Sequence, residues 1–219
     1  MGSVKDPEAG RIEALPKAPE GSAAHIARVA ARLFADRGYD ATSVREIVAE
    51  AGVTKPTLYY HYGSKEGLGR SLLRGPVSAL ADRIEALGEA TMDPIGRQVA
   101  MFEAQLNFCR DEPDRARFMY ALVFGPVVGE LKAELEGLIG RIDAAELRAA
   151  RGLAEAGRIA EGRAEDWFMA MKGLVVVRMM EILYRGVGPG PGLAERLVGD
   201  LLRGLGVGVT VGTDRSRSG

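Results

Sequence analysis

Between positions 22 and 205 apolar residues recur at steps of three and four, and the interruptions are glycines and prolines at helical spacings. Strand-like alternation is scarce. Such a pattern confines the chain to an all-α architecture, and nine or ten helices are expected. Ser22 stands where an N-cap would open the first helix, whose apolar face is Ile26, Val29, Ala30, Leu33 and Phe34, and Gly38 is placed to end it. Ser43 to Glu46 is a capping-box pattern for a short second helix. Gly52 permits a tight turn, Thr54 caps a third helix with Pro56 in its first turn, Gly63 breaks it, and Ser64 caps a fourth helix starting at Lys65. A kink near Arg74 is expected from the Gly75-Pro76 pair. Later helices are expected from Pro94 to about Arg110, from Pro113 to about Val123, after Pro126 to about Ala156, then over 164–185 and 193–205. Residues 1–20 and 209–219 are expected to be flexible tails.

With 219 residues the chain can bury a sizeable core without covalent staples. One cysteine, Cys109, excludes an intramolecular disulfide and is expected to act as a small core hydrophobe. Two histidines and one cysteine cannot build an ordinary Cys/His zinc site, and neither a metal nor a cofactor is expected. No apolar run approaches the roughly 18 residues of a membrane span, and the first residues lack the apolar stretch of a signal peptide. A cytoplasmic protein with no membrane partner is expected. Net charge is −1, yet residues 21–74 carry eight Lys/Arg against five Asp/Glu. A locally basic module on a mildly acidic body suits a polyanion held at one end.

Two short helices joined by a glycine turn, the second rich in polar and aromatic groups, describe a helix-turn-helix. Its second helix is the element that can enter a major groove. Lys55 and Thr57 would face base edges, a lysine donating to guanine and a threonine methyl touching thymine. Tyr59, Tyr60 and His61 offer donors for phosphate oxygens, as does Lys65 in the first turn of the next helix. Arg45 is placed to reach the backbone or a base. Tyr59 to Tyr62 are consecutive and cover every side of a helix, so they cannot all be buried.

Residues 25–73, and most specifically AGVTKPTLYYHYGSKE from Ala51 to Glu66, resemble the DNA-binding region of the TetR family of transcriptional regulators. The resemblance implies a homodimer whose three-helix heads (residues 21–66) bind a palindromic operator in double-stranded DNA, and a helical body (residues 67–208) for ligand binding and dimerisation. Family DNA contacts carry over onto Arg45, Thr54, Lys55, Thr57, Tyr59, Tyr60, His61 and Lys65. Three positions depart from the pattern. Val48 replaces a small residue, Tyr62 replaces the common Phe, and Gly67 and Gly69 replace better helix formers, each at a cost of about 1 kcal/mol relative to Ala.

The body is less informative, because aromatic and Met stripes at helical spacing are usually plain core. The family implies a pocket there, with Phe102, Gln105, Leu106, Tyr120, Phe124, Trp167 and Met171 as candidate lining and a small apolar or amphipathic effector as ligand. Both late helices carry apolar residues on more than one side, and a partner chain is the economical cover, giving a four-helix dimer interface. The expected function is a ligand-responsive repressor rather than an enzyme. The alternative is a helical small-molecule-binding protein or enzyme without DNA binding, although no Ser/His/Asp set, phosphate loop, HExxH or CxxC supports catalysis.

Overall fold

The computed structural model describes residues 21–126 and 129–204; the two expected tails and the end of the last helix at 205 lie outside them. Among the described residues there are nine helices and no strand: α1 (Ser22–Arg37), α2 (Val44–Glu50), α3 (Lys55–Tyr62), α4 (Lys65–Glu89), α5 (Pro94–Asp111), α6 (Pro113–Phe124), α7 (Glu130–Glu155), α8 (Ala164–Arg185) and α9 (Leu193–Arg203). Local chemistry sets most of these boundaries. Ser43 and Glu46 form the reciprocal capping box, with Glu46 N–H donating to Ser43 Oγ at 3.2 Å and Ser43 N–H to Glu46 Oε2 at 2.8 Å. Asp93 caps α5 by accepting from the Gly96 N–H at 2.9 Å, and Pro94 follows where no donor is needed.

One expectation is corrected. Ser22 is not the cap of α1: Gly21 is, at φ 94°, a left-handed conformation that glycine adopts without steric cost. Ser22 lies buried in the first turn, where its hydroxyl meets His61 Nε2 at 2.7 Å, a partner 39 residues away. α4 runs through Gly75-Pro76 and continues to Glu89. Proline removes one helical hydrogen bond, but Leu72, Leu73 and Val77 around it are almost fully buried. Burying each such side chain stabilises by about 1.5–3 kcal/mol, enough to offset the missing bond.

Three apolar clusters fill the molecule. The first gathers Ile26, Phe34, Ile47, Leu58, Leu68 and Leu72, and continues into Phe118 and Leu122 of α6 and Leu131 and Leu135 of α7. It therefore crosses the boundary expected at 66/67. At its centre the Phe34 ring lies 5.0 Å from both Tyr39 and Phe118. Behind it, Leu80, Ile84, Met101 and Ile142 join α4, α5 and α7. The third joins α5, α8 and α9 through Phe102, Cys109, Trp167, Met179 and Val198. Along the outside of α4 and α7, Arg70 bonds Glu134 at 2.8 Å and Arg141 bonds Asp82 at 2.7 Å and Glu85 at 2.5 Å. Such exposed pairs add about 0–1 kcal/mol each, so they fix the register of two packed helices more than they stabilise them.

Cys109 is fully buried, and burial pushes its thiol up to about 12. A thiol-specific reagent in mildly alkaline buffer should therefore leave the native protein unlabelled and react fully once denaturant is added. Rapid labelling without denaturant would contradict this burial.

Candidate functional site

The turn between α2 and α3 is made by Gly52 at φ 61°, and Thr54 then caps α3 by accepting from the Thr57 N–H at 3.4 Å. Leu58 is the anchor of α3: it is 0% exposed and points into the head core. With that face committed inward, Thr54, Lys55, Tyr59 and Tyr60 face outward, Tyr60 being 78% exposed. Thr57 is half-buried; its hydroxyl lies 2.9 Å from that of Thr54. Arg45 is exposed on α2 beside them. The nearby acids are committed elsewhere, Glu46 to Ser43 and Arg37 and Glu50 to Arg32. Hydrogen bonds from Ser43 and then the Arg37 charge hold the Glu46 carboxyl below the usual carboxylate range.

The remaining candidates are turned partly inward. His61 is half-buried, with Nε2 against Ser22. Tyr62 uses the hydroxyl that Phe would lack: it donates to the Ala23 carbonyl at 2.6 Å and so ties the end of α3 to the start of α1. Lys65 Nζ lies 4.4 Å from the centre of the Tyr39 ring and 3.5 Å from the Asp40 carbonyl. Burial lowers the pKa of its ammonium, while Asp40 and Glu46 act to raise it. Gly67 and Gly69 of α4 are not mere helix penalties, as the sequence suggested. A Cβ at Gly67 would sit 2.0 Å from the Tyr62 carbonyl oxygen, and one at Gly69 would press on Tyr39 at 3.0 Å and Leu131 at 3.1 Å. Close approach of α4 to the end of α3 requires glycine at position 67, whereas Gly69 sits tightly against side chains from before α2 and from α7.

In the body, a narrow cleft between α5, α7 and α8 brings together Phe102, Gln105 and Met171 of the expected lining, with Gln98, Met101, Glu146, Phe168 and Val175. The other four candidates do not line it. Leu106 and Trp167 are buried in the adjoining cluster, and the Tyr120 hydroxyl meets the Met179 sulfur. Phe124 is 64% exposed at the end of α6, stacked on Tyr120 at 5.8 Å. Sequence reasoning missed Gln98 and Glu146. The signal for Glu146 was a carboxylate in register with the buried Ile142, Ala145 and Ala149 of α7. Burial raises the pKa of the Glu146 carboxyl and Lys172 opposes the shift; for Lys172, burial acts to lower the ammonium but Glu146 and Asp143 raise it overall.

Described residues that are helical throughout, with a short capped helix projecting beside a second and anchored by one buried leucine, make a helix-turn-helix fold. Residues 26–72 match the family described as bacterial regulatory proteins, tetR family. The chain is 38% identical over 82 residues to the HTH-type transcriptional repressor KstR2 of Mycobacterium tuberculosis, a match spanning 37% of this chain and 41% of that one. The fold is shared with the TetR family transcriptional regulator PfmR from Thermus thermophilus, at a TM-score of 0.68 and 23% identity over 84% of this chain and 96% of that one. It is also shared with AibR, solved in complex with isovaleryl coenzyme A and operator DNA, at a TM-score of 0.63 and 21% identity over 83% and 96%. No helix among the described residues is long and apolar enough to cross a membrane.

Proposed function

We propose that the protein is a ligand-responsive transcriptional repressor that binds a palindromic operator as a homodimer and works where the DNA is, in the cytoplasm. The observation that carries this reading is the outward display of Thr54, Lys55, Tyr59 and Tyr60 by a helix that Leu58 pins to the head. Lys55 and the Thr57 methyl face bases; Arg45, Thr54, Tyr59, Tyr60 and Lys65 hold phosphates. His61, with Nε2 on Ser22, contributes through its other nitrogen and by fixing α3 against α1. The head is residues 21–66 and the responsive body 67–208, and a small apolar or amphipathic effector occupies the body. AibR supplies the precedent of one TetR-like fold holding both an acyl coenzyme A and operator DNA. The head and body share one apolar cluster that includes α4 and α7, so displacing α7 moves α4 and with it the separation of the two reading helices, about 34–36 Å when bound in successive major grooves. Dimerisation is through α8 and α9. Met169, Val177 and Tyr184 form an exposed stripe on one face of α8, whereas α9 turns Ala194 and Val198 onto α5 and leaves Leu197 and Leu201 half-covered beside it.

Anisotropy titrations of duplex DNA test the head. Affinity should fall by about a thousandfold or more over a fourfold rise in salt, as several phosphate contacts demand. Lys65→Ala should weaken all sequences and reduce the salt slope by about one, whereas Lys55→Ala or Thr57→Ala should cost about 1–3 kcal/mol on the preferred site and change which sequence is preferred. A flat salt curve would sink the DNA-binding reading.

A further inference from the structure

The polar side of the body cleft has one commitment left open. Gln98 is 5% exposed, and its Oε1 accepts from the Trp167 indole N–H at 3.1 Å. An indole nitrogen only donates, so the amide cannot be turned the other way and Nε2 is fixed on the opposite side. That Nε2 is buried and has no hydrogen-bond partner among the described residues. Its neighbours are already engaged: Gln105 Nε2 donates to Glu146 at 2.5 Å, and Lys172 donates to Glu146 at 3.2 Å and also pairs with Asp143. Buried donors left unmade are rare and unfavourable, so this position selects a ligand that brings an acceptor. The charges select further. Two carboxylates, Asp143 and Glu146, face one ammonium, Lys172, and a further anion beside them is disfavoured. The rest of the wall is apolar and adaptable, with Phe102, Met101, Met171 and Val175.

We propose that this cleft binds a neutral, mostly apolar ligand carrying a carbonyl or hydroxyl oxygen, which accepts a hydrogen bond from Gln98 Nε2, and that it discriminates against carboxylates. The inference rests on the effector-responsive reading above and names the chemistry of its effector. The enclosed free space is about 10 Å³, the room of roughly one water. The ligand therefore enters by parting α8 from α5 and α7, the two helices that pack on α4.

Trp167 is the chain's one tryptophan and touches Gln98 directly, so its emission reports on the site. The full chain is titrated with four probes of matched length: methyl octyl ketone, decanol, decane and decanoate, in mildly alkaline buffer. The ketone and the alcohol should bind about tenfold more tightly than decanoate, given the carboxylates nearby. Gln98→Met should weaken the ketone by about fivefold to tenfold, to the level of decane. Glu146→Gln should strengthen decanoate by about tenfold while leaving Gln98 in place. Decanoate equal to the ketone in both wild type and Glu146→Gln overturns the proposal. Ketone affinity unmoved by Gln98→Met overturns it too and leaves Nε2 as the site of a bound water only. If no probe alters Trp167 emission the proposal fails, whereas the regulator reading stands or falls on the salt-dependent DNA titration.

Discussion

Val177→Glu should turn a dimer into a monomer by light scattering and weaken operator binding by about 10²–10⁴-fold, the loss expected when two linked contacts become one. Val177 is 58% exposed, between Met169 and Tyr184 on the uncovered face of α8. In the proposed homodimer a two-fold axis would bring the same patch of each subunit together, so one substitution would place two carboxylates in the same dry contact. Desolvating each costs several kcal/mol, and they repel one another. The opposite side of the helix, with Trp167, Val175 and Met179, is untouched, so helicity and the unfolding of the single subunit should stay close to wild type. The head is also unaltered. Residual DNA affinity should therefore keep a salt dependence with about half the original slope, because one head contributes half the phosphate contacts. A Val177→Glu protein that remains dimeric with undiminished operator affinity would place the subunit contact on another face.

The reading head was legible in the sequence because its determinants are local. Ser43 with Glu46, Thr54 with Thr57, and Ser64 with Gly67 lie three residues apart, and each pair makes the hydrogen bond its spacing implies. The same holds for Asp93-Pro94 at α5. The body resisted because its site depends on how separate helices register. Gln98 and Trp167 meet across 69 residues, and Gln105 meets Glu146 across 41; periodicity along one helix says nothing about which residue on another it faces. Phe124 illustrates the converse. Its type suggested a pocket, yet it closes the last turn of α6, where the chain leaves the core. Ser22 has the composition of a cap, but His61 takes its hydroxyl from the far side of the head. The continuity of α4 through Pro76 is likewise a tertiary outcome, since flanking leucines buried against other helices outweigh a local helix breaker.

Gly67→Ala provides the sharpest test of whether local propensity or tertiary approach governs the joint between head and body. By propensity alone the exchange stabilises a helix by about 1 kcal/mol. The geometry demands the opposite sign. The added methyl would lie 2.0 Å from the Tyr62 carbonyl oxygen and 3.2 Å from its carbon, and backbone atoms cannot swing aside as the end of a flexible side chain can. Relief requires α4 to tilt from the end of α3, straining the Gly63 turn at φ 71° and pulling the Tyr62 hydroxyl from the Ala23 carbonyl. The expected cost is about 1–3 kcal/mol, typical of forced backbone shifts, or a melting temperature lower by several degrees. Operator affinity should fall more than stability alone predicts, because loss of the Tyr62 tie to Ala23 frees the end of α3, the helix that carries Lys55, Tyr59 and Tyr60. Gly137→Ala is the matched control: that glycine is exposed in the interior of α7, with nothing within 4 Å of the added carbon, and the exchange should stabilise by about 0.5–1 kcal/mol. Thermal unfolding of the two variants side by side should shift in opposite directions. A rise for both would mean that α4 approaches α3 less closely than the Tyr62 contact requires, and that the joint tolerates an ordinary helix former.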